Sequence, residues 1–209
     1  SVILITSRTF DRMAPQTMLS WLCHRYGFGT YLHFIKGKLD RDTYKESQGI
    51  QERLIEGIEE TDSAIYVDTI ISPSMASALA QSLQVPGVSG MENNTILFEL
   101  SVHDPPHVLD EVLGGCQLAS APRMNRLVLR HSDHFFGNRK NIHVWLTWND
   151  YRNANLMILL SYILLGHPDW HGAEIHIFAA FPHQEVEERT QRLHAMISEG
   201  RLPIASKNL

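Results

Sequence analysis

Residues 141–182 read NIHVWLTWNDYRNANLMILLSYILLGHPDWHGAEIHIFAAFP, and this stretch constrains the fold more than any other. Two strand-like apolar segments, 142–147 and 174–180, flank a run at 154–165 that is apolar almost all the way round. Asp150 and Asn153 are placed to cap the start of the run, Gly166 to end it, and Pro168 forbids its continuation. Strand, helix and strand at this spacing form a βαβ unit, which requires a parallel sheet. A crossover helix lying on one sheet face needs only one apolar stripe. Here Leu156, Met157, Ile158, Leu159, Leu160, Ile163, Leu164 and Leu165 leave almost no polar side. Protein is therefore expected to cover the helix on more than one side. The cover is either other helices of the same chain or a second copy or domain.

A bilayer is excluded as that cover by length. A spanning helix needs about 20 apolar residues, and the run stops well short of that at Gly166. No charged-then-apolar leader opens the sequence, so a water-soluble piece is expected.

Upstream, strand and helix signals alternate. Residues 1–7 (SVILITS) are a continuous β-branched apolar run, as in a strand buried on both faces. A helix is predicted over 13–26, stopped by Gly27 and Gly29, then a strand over 30–35. An amphipathic helix over 42–60 places Ile50, Leu54, Ile55 and Ile58 on one face. Strands follow at 64–70, 95–101 and 126–130, with helices from Pro73 to Leu83 and over 107–118. A charged helix over 184–199 closes the pattern. Five strands with helical crossovers followed by a second βαβ unit predict an α/β fold with doubly wound, mostly parallel sheets flanked by helices. The polar, glycine-bearing stretch HSDHFFGNRK marks the boundary between two subdomains, 1–134 and 135–209.

Composition narrows the role. With 209 residues the chain can bury roughly 70% of its extended surface, enough for one sizeable core or two small ones. A net charge of −5 argues against a nucleic-acid partner and against docking on anionic lipid. Cys23 and Cys116 read as buried thiols. The chain opens directly on a strand without a start Met, so it reads as a piece of a longer polypeptide.

Several groups invite a chemical reading. In a doubly wound sheet, a phosphate would bind in the loop after the first strand, where strand ends and helix starts converge. That loop reads Ser7-Arg8-Thr9-Phe10-Asp11-Arg12 and holds no glycine to let backbone approach a phosphate. Arg8 and Arg12 could still pair with an anion through their side chains. Gly114-Gly115 is followed by no suitably spaced Gly and Ser for a triphosphate. His103, His107, His131 and His134 fall in predicted turns and read as solvated loop residues rather than metal ligands. Ser7, Ser72 and Ser101 lie at strand ends without a glycine-flanked elbow, and read as helix caps. Asp110-Glu111 and Glu59-Glu60 read as solvated helix surface. Core packing is expected for Trp145 and Trp148; of the two, Trp148, beside Asn149 and Asp150, is the better placed for a contact surface. No catalytic, metal or cofactor set emerges.

One resemblance stands beside this reading. Asn141-Ile142-x-Val144-Trp145, then Asp150, then Leu156-Met157-x-Leu159-Leu160, then a Trp before a strand ending Ile177-Phe178, is similar to the cytosolic C-terminal domain of the cation–chloride cotransporters. Upstream, Gly90-Met91-x-x-Asn94-x-Ile96-Leu97 resembles that family's glycine–methionine turn into a buried strand. The chain departs from the family at His143, where an acidic residue is usual, and at Asn149-Asp150-Tyr151-Arg152, where His-Asp-Gly-Gly is usual. The resemblance implies two tandem universal-stress-protein-like, Rossmann-like subdomains on the cytoplasmic face of the cell membrane. It implies a non-catalytic regulatory and assembly domain for symport of chloride with sodium or potassium. The implied partners are a second copy in a homodimer and the transmembrane domain of the same polypeptide, with no cofactor, no nucleic acid and no direct lipid insertion. Arg8, Trp148, Asn149, Asp150 and Tyr151 are the expected contact or switch-point residues. The alternative is a nucleotide-binding sensor domain of the stress-protein type.

Overall fold

The computed structural model describes residues 1–25, 27–59, 64–87, 93–147 and 153–199. The chain divides into two compact units, Ser1–Gly137 and Asn138–Leu209, where the sequence places a boundary between 134 and 135.

The first unit runs β1 (Val2–Thr6), α1 (Met13–Cys23), β2 (Gly29–Lys36), α2 (Arg41–Glu59), β3 (Ile65–Ser72), α3 (Met75–Ser82), β4 (Thr95–Ser101), α4 (Pro106–Leu118) and β5 (Asn125–His131). Its five strands form one parallel sheet in the order β3-β2-β1-β4-β5, flanked by helices, which is a Rossmann-like α/β arrangement. The chain winds outward from β1 to β3, then returns to lay β4 and β5 on the other side of β1. Every residue of β1 is buried, as its unbroken apolar run predicts for the central strand. Ile3, Ile5, Ile96 and Phe98 form a core with Ala78 and Leu79 of α3 and Val112 of α4. Alternation turns Leu4, Tyr31 and Leu97 to the opposite face. There α1 lies close: a methyl group at Gly29 would meet Cys23 Sγ at 3.1 Å and Leu19 Cγ at 3.3 Å. Gly115 likewise admits α4 to the sheet, since a Cβ there would stand 2.6 Å from the Phe98 ring.

Two local expectations are corrected. Leu54 and Ile58 of α2 are buried, but Ile55 is exposed. The inward stripe runs instead through Ser47, whose hydroxyl donates to the Tyr44 carbonyl at 2.7 Å. The segment between the units is also more than a polar joint. Phe136 packs edge-on against the buried Trp21, with ring centroids 4.5 Å apart. Phe135, Gly137 and Arg139 all take left-handed backbone angles, φ 53°, 58° and 52°.

The second unit consists of β6 (Asn141–Thr147), α5 (Ala154–Leu165), β7 (Glu174–Ala180) and α6 (Val186–Glu199), with single 3₁₀ turns at Pro168–Trp170 and His183–Glu185. The strands pair in parallel, Asn141 opposite Glu174 through Thr147 opposite Ala180. Val144, Leu146, Ile175 and Ile177 point to one side and form a core with Ala154 and Ile158 of α5 and Leu193 of α6. Among the described residues, protein on more than one side of α5 is only partly found. Only Ala154, Ile158 and Ser161 are buried in it, while Leu159 is 49% and Tyr162 46% exposed. Among the described residues the exposed positions of the helix are Asn155, Leu159 and Tyr162, and its remaining apolar side chains are half-buried. The capping expectations also shift. Asn153 precedes α5 but makes no side-chain cap bond, and Gly166 ends it in ordinary right-handed geometry, φ −70°. Asp150, the other expected cap, lies outside the described residues.

Candidate functional site

In a sheet wound both ways from its centre, β1 and β4 are neighbours whose following loops diverge to opposite faces, which opens a crevice beyond their carboxyl ends. Residues after β1 (Arg8, Thr9, Arg12), at the end of β4 (Glu99), after β4 (Asp104) and at the end of β5 (His131) gather there. Ser101 lies opposite His131 in the β4–β5 register, which brings the imidazole beside Glu99. One Glu99 carboxylate oxygen accepts from Arg12 Nη1 at 2.9 Å and contacts His131 Nε2 at 3.1 Å, and the other accepts from the Thr6 hydroxyl at 3.3 Å. Asp104 accepts the Ser101 backbone N–H at 2.7 Å and Arg8 Nη1 at 2.5 Å. It also receives both Arg12 terminal nitrogens. Hydrogen bonds from Arg12, the Ser101 amide and Arg8 outweigh burial and hold the Asp104 carboxyl well below the usual carboxylate range. Arg12 is raised in turn, chiefly by Asp104, and burial opposes the shift.

Arg8 and Arg12 therefore reach the crevice as the loop sequence implies, yet their anion is internal. Asp104, delivered by the loop from Ser101 to Pro105, takes both Arg12 terminal nitrogens and one of Arg8's. The expectation of solvated histidines fails at His131. It ends β5 and is largely covered, because that strand runs one residue further than its apolar pattern shows. His103 does lie exposed, 3.0 Å from Asp133. Among the described residues no group of three His, Cys, Asp or Glu could hold a metal ion.

A second polar cluster lies behind the first. The Thr9 hydroxyl sits 2.7 Å from His33 Nδ1, and both residues are buried. Phe10 covers the His33 ring at 5.7 Å, and the Arg53 guanidinium lies 4.0 Å over Phe10. Burial lowers the His33 pKa, so its neutral form is favoured in the fold. Burial also pushes the Cys23 thiol up to about 12, which leaves it without thiolate reactivity. The cap expectation for Ser72 fails: its hydroxyl is buried at the end of β3 with no partner, and Ser74 caps α3 instead, accepting the Ser77 amide.

Beside the crevice, on the side of α3 and α4, opens a cavity of about 370 Å³. Ile5, Leu79, Phe98 and Val112 form its walls, and Arg8, Arg12, Glu99 and Glu111 are its charged lining residues. A triphosphate would meet two or three carboxylates here for every pair of arginines, without a glycine-rich loop to cradle it. The geometry suits a ligand of little or no net charge.

The second unit exposes aromatic side chains on its sheet. Trp145 is 61% exposed and stacks on Phe178 at 4.5 Å and 17°, and His143 meets the same Phe178 edge-on at 5.2 Å. Core packing was expected for Trp145. Period-two alternation instead sends Val144 and Leu146 inward and Trp145 outward, and among the described residues that side of the strand is left exposed. The expected contact residues Trp148, Asn149, Asp150 and Tyr151 lie outside the described residues, as do Gly90 and Met91. Among the described residues no helix is long and apolar enough to cross a membrane. No family model matches the sequence, and no curated protein is significantly similar to it.

Proposed function

We propose that this chain is a non-catalytic regulatory and assembly domain of a cation–chloride cotransporter, held at the cytoplasmic face of the membrane and paired with a second copy of itself. The observation that carries this reading is the incomplete cover of α5: among the described residues Leu159 and Tyr162 stand open on a helix that is apolar over most of its circumference. A helix of that composition is stable in water when another protein surface completes its burial. The motif residues at 141–182 supply the kind of protein, and the α/β plan of both units agrees with two stress-protein-like subdomains in tandem. In the first crevice Arg12, Glu99, Asp104 and His131 pair with one another, which supports a structural rather than a catalytic reading of that cluster.

The mechanism is mechanical. A two-fold interface through the apolar side of α5 fixes two transport units relative to one another, and a change in packing at that interface shifts the equilibrium between their transport states. The test is made on the full polypeptide encoded by the gene. On this reading the codons upstream of Ser1 specify a series of apolar spans of about 20 residues each. Reconstituted in proteoliposomes, that polypeptide carries a cation flux that requires chloride. Leu159→Asp then lowers the flux without removing the protein from the membrane. A flux indifferent to chloride rejects the assignment.

A further inference from the structure

The cavity between α3 and α4 has a chemistry distinct from the pairing surface. Its volume, about 370 Å³, lies near the lower end of the roughly 300–1,000 Å³ found for small-molecule sites, which suits a compact ligand. Its walls are apolar, formed by Ile5, Leu79, Phe98 and Val112. Of its four charged lining residues, Arg12 and Glu99 bond to each other and are used up. The remaining two keep capacity. Arg8 commits one nitrogen to Asp104 and is about a third exposed, so its other N–H groups are open to a carboxylate. Glu111, exposed on α4, has no ion pair among the described residues. One spare guanidinium edge and one spare carboxylate thus line an apolar chamber. A polyanion would be repelled by Glu99, Glu111 and Asp104, and a simple cation would face two arginines. Arg8 follows the carboxyl end of β1, and Glu111 lies in the first half of α4, which follows β4. A molecule with both charges at one end and an apolar body at the other thus matches the two free groups and the walls.

We propose that this cavity binds an apolar α-amino acid, its carboxylate on Arg8, its ammonium on Glu111, and its side chain among Ile5, Leu79, Phe98 and Val112. Gly114 keeps the chamber open: it lines the cavity, and a Cβ there would meet no atom within 4 Å. The site needs no partner copy and no membrane part, so it stands or falls separately from the pairing proposal.

The test is isothermal titration of the full chain with L-leucine, L-isoleucine, L-methionine and L-phenylalanine at millimolar concentration. Matched probes are 4-methylpentanoate, which lacks the ammonium, isopentylamine, which lacks the carboxylate, and magnesium ATP. At least one amino acid binds with a stoichiometry of one per chain, and each single-charge analogue binds about tenfold more weakly or worse, the loss of one charge-assisted hydrogen bond. Arg8→Gln and Glu111→Gln each weaken the amino acid by a similar factor. Gly114→Leu abolishes binding while the circular dichroism stays native, because the new side chain enters open space. Absence of heat with all four amino acids overturns the proposal. So does an acid or amine analogue that binds as well as the parent, or tight binding of ATP in their place.

Discussion

Asp104→Ala should destabilise the first unit by about 3 kcal/mol, the cost of removing one partner from a buried ion pair. The side chain is almost fully covered and holds three donors at once: Arg8, Arg12 and the Ser101 amide. Alanine leaves the Arg12 guanidinium, itself largely covered, with Glu99 alone, and leaves the Ser101 N–H without its acceptor. Asp104→Asn keeps the shape and one acceptor oxygen but drops the charge, so it falls between the two. Hydrogen exchange of the β1 and β4 amides reads the effect, since both strands end at the cluster. The same carboxylate sets a pH dependence with a definite sign. Its folded pKa lies below the unfolded value of about 4, so its stabilisation is fully present above that value and is lost as pH falls from there through the depressed folded pKa. In Asp104→Asn that part of the acid sensitivity disappears. A loss under about 0.5 kcal/mol for the alanine variant would mean that solvent screens the cluster as it does a surface pair.

Ile158→Ala should cost the second unit about 3 kcal/mol, because Ile158 is 1% exposed and sits in the core formed by Val144, Leu146, Ile175, Ile177 and Leu193. Its neighbour Leu159 has the same chemistry and the opposite position. Leu159→Ala should cost the isolated monomer less than about 1 kcal/mol, since the side chain is half out of the protein already. Urea denaturation at a concentration too low for pairing separates the two. Equal losses at both positions would show that α5 is enclosed on both sides within one chain, and the open face would not exist.

The sequence was most readable where one period or one punctuation mark dominates. The unbroken run of β1, the alternation of β6, and Pro168 after α5 each admit a single local structure, and the α/β plan follows from their order. Long-range consequences were harder to see. Nothing near Asp104 in sequence says that it neutralises Arg8 and Arg12, residues separated from it by more than ninety positions. That pairing exists because β1 and β4 become neighbours only once the sheet is wound. His131 looked like a turn residue because β5 ends in polar positions, and only its register against β4 reveals Glu99 beside it. Trp145 was misjudged for a related reason. Alternation tells which residues share a face of β6 but not whether a second layer covers that face. The apolar circumference of α5 announced that cover was needed, yet no pattern within 154–165 states which protein supplies it.

Sedimentation velocity of the chain across micromolar concentrations tests that cover most directly. A concentration-dependent dimer is the expected result for the natural sequence, and Leu159→Asp with Tyr162→Ser should sediment as a monomer whose circular dichroism is unchanged. A natural sequence that stays monomeric throughout, with Leu159 and Tyr162 still open to solvent, would contradict the account.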